Sequence, residues 1–181
     1  MHPTHIPLRV TTGAFILNSG ISKLGADEGT QQFLQGTAAS TYPVFEDMRP
    51  ATFTSILAWS EIAVGAALLV PKVPAHVAGA ALTGFGASLL GVYLRTPSMT
   101  LDDGIRPSQE GTAVAKDVWL VGAGLTLTTQ GLIARAAAGA KQAKKNAKAV
   151  RKNARAASKD LRKEVGKKAA KNAAKAKALA S

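Results

Sequence analysis

Cysteine does not occur in this chain, so disulfides, thiolate nucleophiles, cysteine-held zinc and ordinary iron–sulfur clusters are excluded together. Histidine is confined to His2, His5 and His76. All three fall at one predicted edge of the helices described below, so axial haem ligation between helices is not expected. Aromatics make up only 5% of the residues and none follows Trp119, which leaves the last third of the chain without a platform for stacking bases. Acidic residues almost vanish from the same region. From Arg135 to the end there are 16 Lys and Arg against Asp160 and Glu164, a net of +14, so the remainder, 7 minus 9, carries −2. Serine, histidine and carboxylate nowhere approach a hydrolase spacing, and the glycine-rich stretches lie inside apolar runs, where a phosphate-cradling loop would not sit. Asp102-Asp103-Gly104 is followed by no spaced set of oxygen ligands and no closing glutamate, so a calcium loop is not expected.

With 46% hydrophobic residues over 181 positions, the averages suit one soluble domain. Their distribution does not. Ala51–Val70, ATFTSILAWSEIAVGAALLV, is long enough to cross a bilayer, and Glu61 near its middle is its only ionisable group. Thr52, Thr54, Ser55 and Ser60 are each able to return a hydrogen bond to their own backbone. The turn Pro71-Lys72-Val73-Pro74 then sends Ala75–Leu94 back antiparallel, with Gly79, Gly84, Gly86 and Gly91 offering a small-residue surface for tight packing. Leu8–Leu24 is a weaker span, diluted by threonine, serine and Asn18, whose Arg9 and Lys23 are expected to snorkel toward headgroups. We read it as a retained span and not a signal peptide, because Asn18 and Ser19 interrupt the apolar core. Val118–Ala134 is the fourth span, opened by Lys116 and Asp117. The expected fold is all-α, a four-transmembrane-helix antiparallel bundle over residues 1–136, followed by a basic Ala/Lys-rich tail over residues 137–181.

Two polar segments join the spans. Gly25–Pro50 reads as a loop with a short surface helix at Thr30–Leu34, either a solvated connector or a lid over the outer end of the bundle, with Tyr42, Phe45 and Met48 at the interface. Thr96–Gly111 is the second. The short loops alone place two cations inside (Arg9, Lys72) against five outside (Lys23, Arg49, Arg95, Arg106, Lys116). Arg135–Arg155 adds eight and reverses the balance to ten against five, which puts both termini in the cytoplasm.

The tail repeats every seven residues, KNAKAVR, KNARAAS, KDLRKEV, with Lys145, Lys152 and Lys159 in register. Its apolar seam is thin: Ala147, Val150, Ala154, Ala157 and Leu161. A partly helical or disordered segment broken at Gly166 is expected. Lys144, Lys145, Lys148, Arg151, Lys152, Arg155, Lys159, Arg162 and Lys163 are the candidate anionic-surface residues. Their partner is anionic lipid, nucleic acid bound without sequence readout or an acidic protein, unless the run is simply solvated and fixes topology.

A mid-membrane carboxylate requires neutralisation or a partner. Asn18, on the first span at similar depth, offers Glu61 a polar clamp; alternatively Glu61 is a protonatable group in a small cavity shared with Asn18, Lys23 and Arg95, open to a quinone headgroup, a proton or another small polar ligand. No catalytic residue and no metal site is visible.

Arg9, Gly13, Gly20 and Lys23-Leu24 in the first span, Glu61-Ile62-Ala63-Val64-Gly65 leading to Leu68-Leu69 in the second, and Lys116-Asp117 before the last resemble the DoxX family of small membrane proteins over about Leu8–Ala134. The resemblance implies a four-helix bundle in the bacterial cytoplasmic membrane, associated with quinone-linked redox systems as an accessory subunit beside other membrane subunits, with Glu61, Lys23 and Arg9 as polar positions of the core. A tether working through its tail and a small-solute or proton pathway are the other readings.

Overall fold

The computed structural model describes the backbone of residues 3–179 and the side chains of residues 4–169; His2 lies outside them. The described chain is all-helical. A 3-10 turn, Pro3–His5, leads into α1 (Ile6–Lys23), followed by α2 (Glu28–Ala39), α3 (Pro50–Leu69), α4 (Ala75–Arg95), the short α5 (Thr112–Ala115) and α6 (Val118–Leu179). The chain divides into two compact units, Met1–Ile133 and Ala134–Ser181.

Within the first unit, α1, α3, α4 and the start of α6 share one core, built from Ile16, Leu68, Ala78, Leu82, Leu120 and Leu127. Glycine sets how closely these helices approach. A Cβ on Gly65 would lie 2.7 Å from the Leu17 backbone nitrogen, and one on Gly20 would lie 2.7 Å from the Ala58 carbonyl oxygen. The pairing of residue 20 with 58 and of 17 with 65 makes α1 and α3 antiparallel, packed backbone to backbone. Gly79 and Gly124 do the same for α4 and α6: each would place a Cβ 2.6 Å from a backbone nitrogen opposite, of Thr128 and Thr83 respectively. Of the other α4 glycines, Gly86 faces α6, Gly91 faces the Tyr42 hydroxyl, and Gly84 has nothing within 4 Å. The small-residue surface expected on α4 is therefore split between two faces and a third open position.

Residues 25–50 are more ordered than the sequence suggests. The short surface helix expected at Thr30–Leu34 is longer: α2 extends from Glu28 to Ala39, and Asp27 caps it by accepting from the Thr30 N–H at 2.7 Å. The segment folds onto the bundle. Tyr42 donates across to the Ser88 carbonyl at 2.9 Å, and Phe45 stands edge-on to both Tyr42 and Phe53. Residues 96–111 form a pinned hairpin with a Thr100–Pro107 bridge, and Tyr93 holds it by donating to the Ile105 carbonyl at 2.6 Å. Asp103 accepts from the Ile105 and Arg106 N–H groups, which is turn chemistry, and these bonds hold its carboxyl below the usual range.

By length and composition, α3 and α4 are the two described helices apolar enough to cross a membrane. In the second unit, residues 134–169 are exposed and helical throughout, and α6 runs through Gly166, where a break was expected. One glycine costs about 1 kcal/mol against alanine, and the alanine- and lysine-rich flanks are strong enough helix formers to absorb it.

Gly65→Ala is expected to destabilise the first unit by about 1–3 kcal/mol, since the added carbon meets backbone with no freedom to yield. Gly84→Ala should be neutral or stabilising. Thermal unfolding of both variants in one detergent compares them.

Candidate functional site

α1 carries Arg9, Gly13, Ile16, Gly20 and Lys23 along the face it turns to α3. Because glycines hold the two helices close, the cations at either end of that face reach α3 itself.

At one end, Arg9 is 2% exposed and closes the C-terminus of α3. Its Nε donates to the Leu68 carbonyl at 2.6 Å, Nη2 to Ala67 at 2.8 Å and Val70 at 3.0 Å, and Nη1 to Val73 at 3.0 Å. The last carbonyls of a helix lack intrahelical donors and carry partial negative charge. Arg9 satisfies them and ties in the turn to α4. The expected snorkelling toward headgroups does not occur. His5 is also buried at this end, with Nε2 2.7 Å from Gln130 Oε1.

Toward the other end lies Glu61, 5% exposed. Its partner is Lys23 and not Asn18: Lys23 Nζ stands 2.9 Å from Glu61 Oε2 and 2.8 Å from Ser19 Oγ. Helical side chains lean toward the N-terminus of their own helix, which carries the ammonium back one turn, over Ser19 and onto the mid-length carboxylate of α3. Asn18 is exposed. Arg95 is also exposed, with its guanidinium 6.0 Å from the Tyr42 ring centroid, so it belongs to the outer cap and not to the Glu61 site.

Asp117 joins this pair from the turn before α6. Burial pushes its carboxyl above the ordinary value, the nearby Glu61 carboxylate pushes it further, and Lys23 opposes both. Lys23 and Glu61 form the ion pair of the site, and Asp117, from a third segment, feels the charge of both. Thr54, two turns from Glu61 on the same face of α3, is 2% exposed and its Oγ1 has no hydrogen-bond partner among the described residues. Ser55 and Ser60 return bonds to Ala51 and Leu57 as expected; Thr54 does not. The neighbouring surface is a shallow groove of about 510 Å³ that Phe15, Asn18, Ser19, Lys23, Asp27 and Leu34 help to line. Lys23 is therefore the boundary between the groove and buried Glu61. Among the described residues, no three His, Asp or Glu side chains converge as metal ligands.

Counting depth along the spans found Glu61 and gave it Asn18 as a clamp, with Lys23 and Arg95 in the alternative cavity; the structure keeps Lys23 beside Glu61 and removes the other two. Asp117 was legible only as a helix opener. Compared with family models, curated proteins and solved structures, the chain matches none.

Removing one member of the buried pair leaves an uncompensated charge. Lys23→Met is expected to cost about 3–5 kcal/mol, with most of it recovered in the double variant Lys23→Met/Glu61→Gln; the double-mutant cycle by thermal unfolding measures the coupling. For Asp117 the sign is opposite. A carboxyl whose folded pKa is raised holds its proton more tightly when folded, so stability falls as pH rises from its unfolded to its folded pKa. Asp117→Asn should raise the unfolding midpoint at neutral pH, and the gain should vanish in acid below the ordinary aspartate range.

Proposed function

We propose that this chain is a DoxX-like integral membrane protein of the bacterial cytoplasmic membrane. In this reading α1, α3, α4 and the first part of α6 cross the bilayer, both termini are cytoplasmic, and the protein is a non-catalytic accessory subunit of a respiratory or redox assembly. The observation that carries the reading is the distribution of polarity. Large apolar side chains point outward on all four helices, with Phe15 66%, Trp59 61%, Trp119 77% and Ile133 69% exposed, while Arg9, His5, Thr54 and Glu61 are buried. In water that arrangement would expose apolar surface beyond what monomers tolerate; in lipid it costs nothing and leaves small residues to pack the interior. The apolar stretches of α3 and α4 are only 39% and 28% buried, whereas the core helix of a soluble protein is mostly buried.

The weak spans α1 and α6 are carried by their neighbours, since charged ends that α3 satisfies do not face hydrocarbon. The residues around Lys23 suit the carbonyl of a quinone headgroup. The ammonium is held by Glu61 Oε2 and by the Ser19 hydroxyl and carbonyl, so a quinone carbonyl would take the place of the long 3.5 Å bond to the Ser19 carbonyl, with Phe15 and Leu34 as apolar walls. A bound quinone would supply two-electron redox chemistry; the chain's own part is to hold the carbonyl with Lys23, which Glu61 and Ser19 position.

A second reading, a membrane tether that works through its tail, is favoured by the complete exposure of residues 134–169. On either reading the protein should remain with membranes after alkaline wash and leave them only with detergent. Gentle extraction is expected to bring larger membrane subunits with it, and deletion of residues 139–181 should leave that co-purification intact. Recovery in the soluble fraction without detergent would defeat the membrane assignment. Loss of the partner subunits on deleting the tail would move the function to the tether.

A further inference from the structure

The tail helix is not uniformly basic. Between Lys141 and Lys163 it carries ten Lys and Arg, every one exposed. At 100° per residue, all ten fall within an arc of about 120° on one side of the helix. The neutral and acidic side chains Gln142, Asn146, Asn153 and Asp160 fall on a separate strip, and the seam of Ala147, Val150, Ala154, Ala157 and Leu161 lies about 140° from the centre of the basic arc. A sequence chosen only for net charge and helix propensity would scatter its lysines around the axis. Over Lys141–Lys163 this one aligns them, while Arg135, Lys167 and Lys168 lie off the arc.

We infer that this stripe binds the phosphate backbone of a nucleic-acid duplex, lying along it as a helical rod. The stripe is about 33 Å long, giving about one cation per 3.3 Å of axis, and a duplex presents one phosphate per ~1.7 Å of its axis, both strands counted. Ten aligned cations therefore meet a polyanion dense enough to offer each of them a phosphate on whichever strand faces the rod. Single strands are a poorer fit, because the tail has no aromatic side chain on which to stack a base. Anionic lipid is also a poorer fit. A helix that sinks its seam into the interface turns the basic stripe away from the headgroups, and the seam holds no Trp or Phe to anchor it. Laid stripe-down instead, the helix meets anionic headgroups diluted among neutral ones. Nothing in the stripe reads base edges, so the binding is sequence-independent and set by counterion release. The inference develops the tether reading and needs of the bundle only that it hold the chain in a membrane.

The full-length protein in phosphatidylcholine nanodiscs, titrated with a fluorescent mixed-sequence DNA duplex, tests it. Two duplexes of unrelated sequence should bind within a few-fold of each other. The plot of log affinity against log salt should have a slope of about −5 or steeper, since each neutralised phosphate contributes about −0.9. A composition-preserving variant, Ala147→Lys with Lys148→Ala, Asn153→Lys with Lys152→Asn and Ala154→Arg with Arg155→Ala, keeps net charge but breaks the stripe. It should bind at least tenfold more weakly. Equal affinity of that variant would overturn the inference, as would absence of duplex binding by protein that has entered the nanodisc, an outcome that leaves the membrane assignment standing. Nanodiscs containing phosphatidylglycerol give the last arm: retention of duplex binding supports the inference, and its loss together with protection of the tail from protease assigns the stripe to lipid instead.

Discussion

The backbone contact between α1 and α3 is the constraint on which the first unit depends. Gly20 and Gly65 bring the helices to a separation that no other residue would permit, and everything chemically unusual in the unit is a consequence. At that distance an arginine at one end of α1 reaches the open carbonyls of α3, and a lysine at the other reaches its mid-length carboxylate. A wider spacing would leave two buried charges without partners, each worth several kcal/mol of penalty. The close approach thus organises polarity as well as packing.

Polarity is arranged inside out relative to a water-soluble bundle. The hydrophobic effect gives membrane helices little reason to associate once inserted, so van der Waals contact between small residues and a few internal polar bonds hold them together. The unit shows both: Gly79 against Thr128 and Gly124 against Thr83 between α4 and α6, and the Arg9 and Lys23–Glu61 contacts between α1 and α3. Only α3 and α4 have the length and apolarity of spans in their own right. On the proposed reading the other two helices depend on them, and α3 supplies the groups that satisfy the cations near the ends of α1.

Helix positions were legible because apolar runs are long and are bounded by Pro50, by Pro71 and Pro74, and by Lys23 or Asp117, all of which mark ends by known mechanisms. α2 was underestimated. Its Gln- and Thr-rich sequence lacks a strong apolar period, although Asp27 before Glu28 was a usable capping signal. The site was half legible. Depth along a span can be counted, so Glu61 stood out, but depth alone does not include the reach of a four-carbon side chain leaning back toward its own N-terminus. Asn18 therefore seemed the natural partner and Lys23 proved to be it. Arg9 was misplaced for a related reason: a sequence shows a cation near a helix end but not the carbonyls that the end of a different helix and its following turn present to it. The tail was read by composition and seven-residue register, which located its cations without showing their alignment.

The Arg9 contacts carry a further consequence for biogenesis. Arg9 and Leu68 are 59 positions apart, so on the proposed membrane reading, while a ribosome delivers the first helix to the translocon, the acceptors that will satisfy its guanidinium have not yet been made. Until the turn at Val73 emerges, α1 has nothing to hold that charge except water and lipid headgroups at the membrane face. On that reading its final seating is a late event, completed only when the turn to α4 arrives, and the most hydrophobic helices act as an internal chaperone for the weakest of the proposed spans.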